Sequence, residues 1–383
     1  FSLINMMLIT GQIGKESAGI DPPRGQNNVQ GVTDIGVSPI NYPGYIPVSN
    51  EENRHKLAQL WDVPFEQMPS EPGLTTVELM NAAHEGKIKG MFIMGENPMM
   101  TDPNLNHTEE SLKNLDFLVV QDIFHTETTP YADVILPAAS FAEKDGTFVN
   151  SDRRVLRVRK AVEKPGQAEE DWKIILWIAE KMGYNLGSYN NAKEIFEEIR
   201  EATPILAGVT YERIEQEGLQ WPCPGTDHPG TPTLFLEQFS TSNGLGILNP
   251  VDYQPQSEPA SGEYPYVLNT GRILYQYHTS TMSRRNKALS DFANESYVLM
   301  HPGDVRANGF RDGDRIRLSN PRGQLQTTVR SSQQVKPGEL FMPFHFREAL
   351  VNKLTRSDLD PDSRIPPYKF SACKVEKVEM SGG

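Results

Sequence analysis

Cysteine is nearly absent: Cys223 and Cys373 are the only two in 383 residues, they lie far apart, and they form no CxxC pair. This chain alone therefore cannot supply the thiolates of an iron–sulfur or zinc-thiolate centre, and the count argues against a disulfide scaffold. No apolar run reaches the roughly 18 residues that a membrane-spanning helix needs. Positive charge is in deficit. The 37 Lys and Arg face 50 Asp and Glu, for a net charge of −13, which argues against general nucleic-acid binding and its need for a basic surface. Also missing are HExxH, GxSxG, GxGxxG and GxxxxGK[ST], so the common hydrolase, dinucleotide and P-loop fingerprints are excluded. Neither cysteine sits among basic residues as an activated nucleophile would. What is present has the composition of a globular protein, 37% hydrophobic and 23% charged, long enough for two or three domains of roughly 100–200 residues.

The chain begins with Phe1, and the run to Thr10 has apolar residues at helical spacing. It has no signal-peptide pattern and reads as a core helix entered part-way, the expectation being a piece of a longer or split chain. A segment dense in Gly, Pro and Asn follows from Gly11 to Pro47. So long an irregular stretch is expected to wrap a ligand or line a site. Helices are expected near 52–61, 74–86, 107–114 and 169–183. Between them lie the short apolar runs Met91–Met94, Phe117–Val120 and Asp133–Leu136. Apolar strands alternating with helices imply a doubly wound parallel α/β domain covered on both faces, with ligands beyond the carboxyl ends of its strands. Residues 251–263 read as a linker. Beyond it, β-rich runs at Tyr266–Leu268, Tyr297–Met300, Arg315–Ser319, Gln324–Val329 and Glu339–Met342, separated by turn signals, imply a small β-barrel.

Several stretches carry possible chemistry. In Arg24-Gly-Gln-Asn-Asn-Val-Gln-Gly31 a guanidinium fork among amides (Gln26 and Asn27) suits a carboxylate, a phosphate or a polar heterocycle, although an ordinary surface loop has the same composition. Gly95, Glu96 and Asn97 follow an apolar strand directly, where glycine permits close backbone approach to a ligand. Asp122, after Gln121, could accept two N–H bonds from a guanine edge, or simply cap the next turn. Glu143, Gly146, Thr147 and Asn150 follow the third strand. Thr270, Gly271 and Arg272, then His278, Thr279 and Met282, are rich in donors, while His278 and His345 (the latter beside Phe346) have bland structural explanations as well.

Taken in order, these motifs closely resemble the C-terminal half of the formate dehydrogenase alpha subunit, in the molybdopterin-guanine-dinucleotide oxidoreductase superfamily. The stretch from Ala132 through Leu136-Pro-Ala-Ala-Ser140 to Asn150 is shared across that superfamily, and the Arg24–Gly31 loop points to the formate branch. The resemblance implies that residues 1–25 end a preceding cofactor domain, that 26–250 form an α/β domain binding the dinucleotide, and that 264–383 form a six-stranded double-psi β-barrel. It implies a bis-molybdopterin-guanine-dinucleotide centre with molybdenum or tungsten. Arg24 would face the metal and orient formate, with Gln26 and Asn27 nearby. Gly95, Glu96, Asn97, Gln121, Asp122, Glu143, Gly146, Thr147 and Asn150 would line the guanosine and phosphate end. Thr270, Gly271, Arg272, His278, Thr279, Met282, His345 and Phe346 would reach the pterins.

The family's iron–sulfur cysteines and the protein ligand to the metal are absent here and are expected upstream of Phe1. The expected partners are that N-terminal half and an electron-transfer subunit, with no nucleic acid and no membrane span in this chain. The expected location is cytoplasmic. The expected activity is oxidation of formate to CO2, lost without the other half. Two alternatives are a nitrate-reductase-like oxidoreductase of the same superfamily and a non-catalytic cofactor-binding or scaffold subunit.

Overall fold

The computed structural model describes residues 1–378. The chain forms two compact units that interleave in sequence: Phe1–Gly73 with Ala139–Gln254, and Leu74–Ala138 with the chain from Pro255 onward. The expected division ran in chain order, 26–250 and then 264–383, and the last five residues of that second range lie outside the described residues. The units interleave because segment 98–113 is bonded to the barrel region. The buried Asn352 side chain donates to the Met100 carbonyl at 2.8 Å, and Asn106 donates to the Arg322 carbonyl at 2.7 Å. The expected linker has no regular structure, yet Glu258 within it accepts from Arg322 Nη1 and Nη2 at 2.6 and 2.9 Å. Its far end is thereby pinned to the barrel.

In the first unit the opening helix is Ser2–Ile9, with none of its residues buried. The segment expected to be irregular contains a short helix, Val29–Asp34, and a hairpin of Asn41–Tyr42 against Ile46–Pro47. A left-handed Asn28 starts that helix and its amide oxygen accepts the Val149 N–H at 2.9 Å. The helix Glu51–Leu60 is capped by the Asn50 side chain. Strands Gly146–Val149, Arg154–Val158 and Leu219–Gln220 form an antiparallel sheet. Val149, Val155, Phe196, Leu206, Ile214 and Cys223 make the core beside it, so Cys223 is a packing residue. The helix Asp171–Lys181 buries Ile174 but leaves Trp177 half exposed.

In the second unit strands Gly90–Met94, Phe117–Asp122 and Val134–Pro137 pair in parallel, in sequence order. Helices Thr76–His84 and Leu105–Lys113 feed this sheet. Right-handed crossovers between strands laid down in sequence place the connections on one face. That face holds Ile93, Leu118 and Val120 against Met80, Met99 and Leu112. Cover on both faces was expected, but in this chain Phe92 and Phe117 stay nearly half exposed, because no reversal of strand order sends a helix to the other side.

The barrel is closed and six-stranded. Around it run Tyr266–Gly271, Glu339–Pro343, Tyr297–Met300, Gly323–Ser331, Arg315–Asn320 and Ser371–Lys377, which returns to the first. The first strand is parallel to the second and the third is parallel to the fourth, while the other pairs are antiparallel. Alternate residues point inward, as the period of a strand requires: Val298 and Met300, Ile316 and Leu318, and Leu340 and Met342 are completely buried.

Candidate functional site

The expected site residues fall into two sets, one on each compact unit. On the first unit Arg24 is exposed at the mouth of the loop leading into the helix Val29–Asp34. Its Nη2 and Nε donate to Gln30 Oε1 at 2.8 and 3.2 Å. Gln26 is half-buried and Asn27 exposed beside it. Glu143 closes a capping box with Ser140, accepting that residue's backbone N–H at 2.9 Å. Asn150 accepts the Arg154 N–H across the hairpin at 3.0 Å. Those two side chains therefore shape the turn. Gly146 and Thr147 begin the intervening strand, and a Cβ on Gly146 would meet nothing within 4 Å.

On the second unit the ends of the first two parallel strands are tied together by the Gly95 N–H bonding to the Gln121 carbonyl at 2.9 Å. Gly95 has φ of +66° with open space above it, a conformation that glycine adopts without strain and that leaves room for a ligand against the backbone. Asn97 is buried and committed: it donates to Glu127 Oε2 at 2.8 Å and accepts from Thr128 Oγ1 at 2.7 Å. Asp122 caps its turn, accepting the Ile123 N–H at 2.6 Å. Glu96 keeps solvent contact, yet reduced solvation and then the neighbouring Asp122 push its carboxyl up. Asp102 is a residue the sequence pattern did not single out. It is 4% exposed with Oδ2 unpartnered, and burial, with Glu96 adding to it, pushes its carboxyl up to about 7.

The barrel loops add a basic recess of about 340 Å³ within this same unit, lined in part by Thr279, Ser280, Arg284, Arg285, His345 and Arg347. Arg284 pairs with Glu348 at 2.7 Å, and Arg285 lies 4.3 Å above the Phe124 ring. Arg347 is mostly exposed and only 3.9 Å from Glu127. Three guanidiniums converging on one recess suit a phosphorylated ligand. The doublet Arg284-Arg285 was a legible signal, whereas Arg347 depends on the loop brought in after Glu339–Pro343.

His345 is fully buried. Its Nε2 accepts the Ile273 N–H at 3.0 Å and its Nδ1 meets the His278 carbonyl. One ring nitrogen accepts and the other donates, so the imidazole is fixed as a neutral tautomer and acts as a strut. His278 stands edge-on to Phe344, and burial, then Arg272, push its ring down to about 4. Thr270 donates to the Tyr368 carbonyl at 2.8 Å. A Cβ on Gly271 would collide with the Phe341 ring. Arg272 sits over Phe344, Met282 is partly exposed, and Phe346 is buried beneath Arg284.

Within the second unit these features suit a large anionic heterocyclic ligand at the strand ends and barrel loops. Residues 1–181 match the family model "Molybdopterin oxidoreductase", and residues 266–372 match "Molydopterin dinucleotide binding domain". The chain belongs to the molybdopterin oxidoreductase family. It is 46% identical over 378 residues to the F420-dependent formate dehydrogenase 1 subunit alpha of Methanococcus maripaludis, a match covering 98% of this chain and 55% of that protein. It is 36% identical over 381 residues to the assimilatory nitrate reductase catalytic subunit of Bacillus subtilis, covering 97% of this chain and 54% of that one. Acetylene hydratase from Pelobacter acetylenicus has the same fold, with a TM-score of 0.64 at 19% identity over 86% of this chain and 50% of that chain. The chain thus spans about half the length of the curated relatives it matches.

The residues present fit a dinucleotide of this kind. Gly95 leaves space where a side chain would intrude, Asp102 keeps an orphaned buried oxygen, and the recess is lined by guanidiniums. Among the described residues no group of three or more His, Cys, Asp or Glu is arranged to hold a metal ion, and no helix is long and apolar enough to cross a membrane.

Proposed function

We propose that this chain works within a longer formate dehydrogenase alpha subunit, where it binds formate through Arg24 and holds one guanine dinucleotide of a bis-molybdopterin centre. The observation that carries the reading is the exposed Arg24, anchored at its Nε edge, in a chain 46% identical to a formate dehydrogenase alpha subunit. The overall reaction is HCOO⁻ → CO2 + H⁺ + 2e⁻. The bound molybdenum or tungsten centre supplies the acceptor for the two electrons. Arg24 pairs with the formate oxygens and aims the C–H bond, with Gln26 and Asn27 bordering the same loop. Asp122 accepts N–H bonds from the guanine edge beside Gly95, Glu96 and Gln121. The phosphates meet the recess of Arg284 and Arg285, while Arg272, His278, Thr279 and Phe346 support the pterin side. Glu143 and Asn150 keep the Gly146–Thr147 hairpin in shape. The metal's protein ligand and an iron–sulfur cluster belong to the part of the relatives' length that this chain does not span. An electron-transfer subunit is the partner, the location is cytoplasmic, and the chain is inactive on its own.

In the full-length enzyme, Arg24→Ala lowers formate turnover by about 10²–10³, as loss of a preorganised donor does elsewhere, at unchanged metal content. Wild-type turnover in that variant removes Arg24 from the site. A second reading, nitrate reduction, is favoured by the Bacillus subtilis relative. Assaying formate and nitrate side by side with a viologen dye separates the two, since only the true substrate exchanges electrons with it.

A further inference from the structure

Gln30 and Asp34 lie one turn apart on the short helix after Arg24, and both are buried. The Trp221 indole N–H donates to Asp34 Oδ2 at 2.7 Å, and the Tyr45 hydroxyl donates to Asp34 Oδ1 at 2.7 Å. An indole nitrogen can only donate, so Asp34 must accept. The Gln30 amide nitrogen donates to Asp34 Oδ1 and to the Tyr45 oxygen, both at 2.7 Å. A glutamine amide is normally free to face either way, and here its polarity is dictated. Its NH2 must turn inward to the carboxylate, so its carbonyl oxygen must turn outward to accept Arg24 Nε and Nη2. Burial holds the Asp34 carboxyl above its ordinary range, and hydrogen bonds from Tyr45, Gln30 and Trp221, with the charge of Arg24, limit the rise. Donation runs from Arg24 to Gln30 and from Gln30 to Asp34, and the Asp34 carboxylate, which Trp221 and Tyr45 also donate to, is the acceptor that sets it.

We propose that Gln30 and Asp34, backed by Tyr45 and Trp221, are positioning residues that fix the direction of the Arg24 guanidinium. This rests on the reading of Arg24 as the group that orients formate. The chain of bonds also explains why a long, exposed arginine can serve as a rigid receptor: its guanidinium is gripped at Nε, so fewer rotamers compete with the productive one. Gln30→Met keeps length and volume but offers no acceptor, Asp34→Asn lets the Gln30 amide turn round, and Gln30→Glu made together with Asp34→Asn restores an outward acceptor without setting two carboxylates against each other.

The test uses the full-length, cofactor-loaded enzyme and two readouts. One is kcat and KM for formate. The other is the formate concentration that half-protects the Arg24 peptide from phenylglyoxal, read by mass spectrometry with electron acceptor withheld. Gln30→Met and Asp34→Asn should raise both KM and the half-protecting concentration about tenfold, the scale of one charge-assisted bond, with cofactor content unchanged. The paired change of Gln30→Glu with Asp34→Asn, which keeps an outward acceptor and supplies an inward donor, should recover most of that loss. In an Arg24→Ala background Gln30→Met should cost nothing further, because the two residues act through one contact. An equal penalty in both backgrounds, or unchanged values in Gln30→Met and Asp34→Asn, overturns the positioning role. Unchanged formate kinetics in Arg24→Ala alone overturns the Arg24 reading itself, and this inference with it.

Discussion

At the residue scale, the second unit sets the buried Asp102 and the half-buried His278 against each other. Asp102 titrates at about 7 when folded, against 3.8 when free. Between those values the folded chain holds a proton that the unfolded chain has released, so this group removes stability as pH rises from about 4 to about 7, by about 1.4 kcal/mol per pH unit. His278 titrates at about 4 against 6.5. Between those values the unfolded chain binds the extra proton, so stability falls as pH drops from 6.5 to about 4. The two slopes oppose each other in one window, and each is read by difference. Asp102→Asn should raise the thermal midpoint of the chain at pH 8 and leave it nearly unchanged at pH 4. His278→Gln should raise it at pH 4.5 and not at pH 8. Variant and wild-type profiles that run parallel across this range would remove both assignments. Sequence could not reveal Asp102, since a Thr-Asp-Pro turn reads as surface. Its burial follows from the barrel loops, Asn352 among them, that close over Met100 and Thr101.

At the element scale, continuous apolar runs marked the parallel strands, and β-rich runs between turn signals marked five of the barrel strands, all within two or three residues. The family resemblance implied six barrel strands, but nothing in the sequence placed the sixth, Ser371–Lys377. Its buried members are Ser371, Ala372 and Cys373 and its outer half is charged, so it has little hydrophobic pattern. The helix Val29–Asp34 was hidden for a related reason. Its buried positions are Gln30, Gly31 and Asp34, polar or small residues that hydropathy assigns to a loop. The parallel barrel strands Tyr266–Gly271 and Glu339–Pro343 lead into the site loops at their carboxyl ends, and Leu340 is completely buried in the barrel wall beside Met342. Leu340→Ala should cost about 2–5 kcal/mol by leaving a cavity, read as a lower midpoint in urea at unchanged slope. A cost below the scale of one methylene would contradict a close-packed barrel interior.

At the scale of the whole molecule, the candidate residues gather as strand-end and barrel-loop clusters because both architectures leave polar, loop-borne groups where the strands stop. What sequence order obscured is the partition. Segment 74–138 joins the barrel's unit, and the Arg24 loop shares a unit with residues 139–254. Asp122, Asp102 and the recess arginines thus belong to one compact body, and the Arg24–Gln30–Asp34 chain to the other. The central claim is that the former body grips a guanine-bearing pterin. The most direct measurement is the guanine dinucleotide released per polypeptide when the full-length enzyme is denatured and its extract chromatographed, compared between wild type and Asp122→Asn, which keeps the turn-capping oxygen but loses the charge. The account predicts stoichiometric dinucleotide in wild type and a clear deficit in the variant. Wild-type enzyme that releases no guanine dinucleotide, or a variant that retains the full amount, would contradict it.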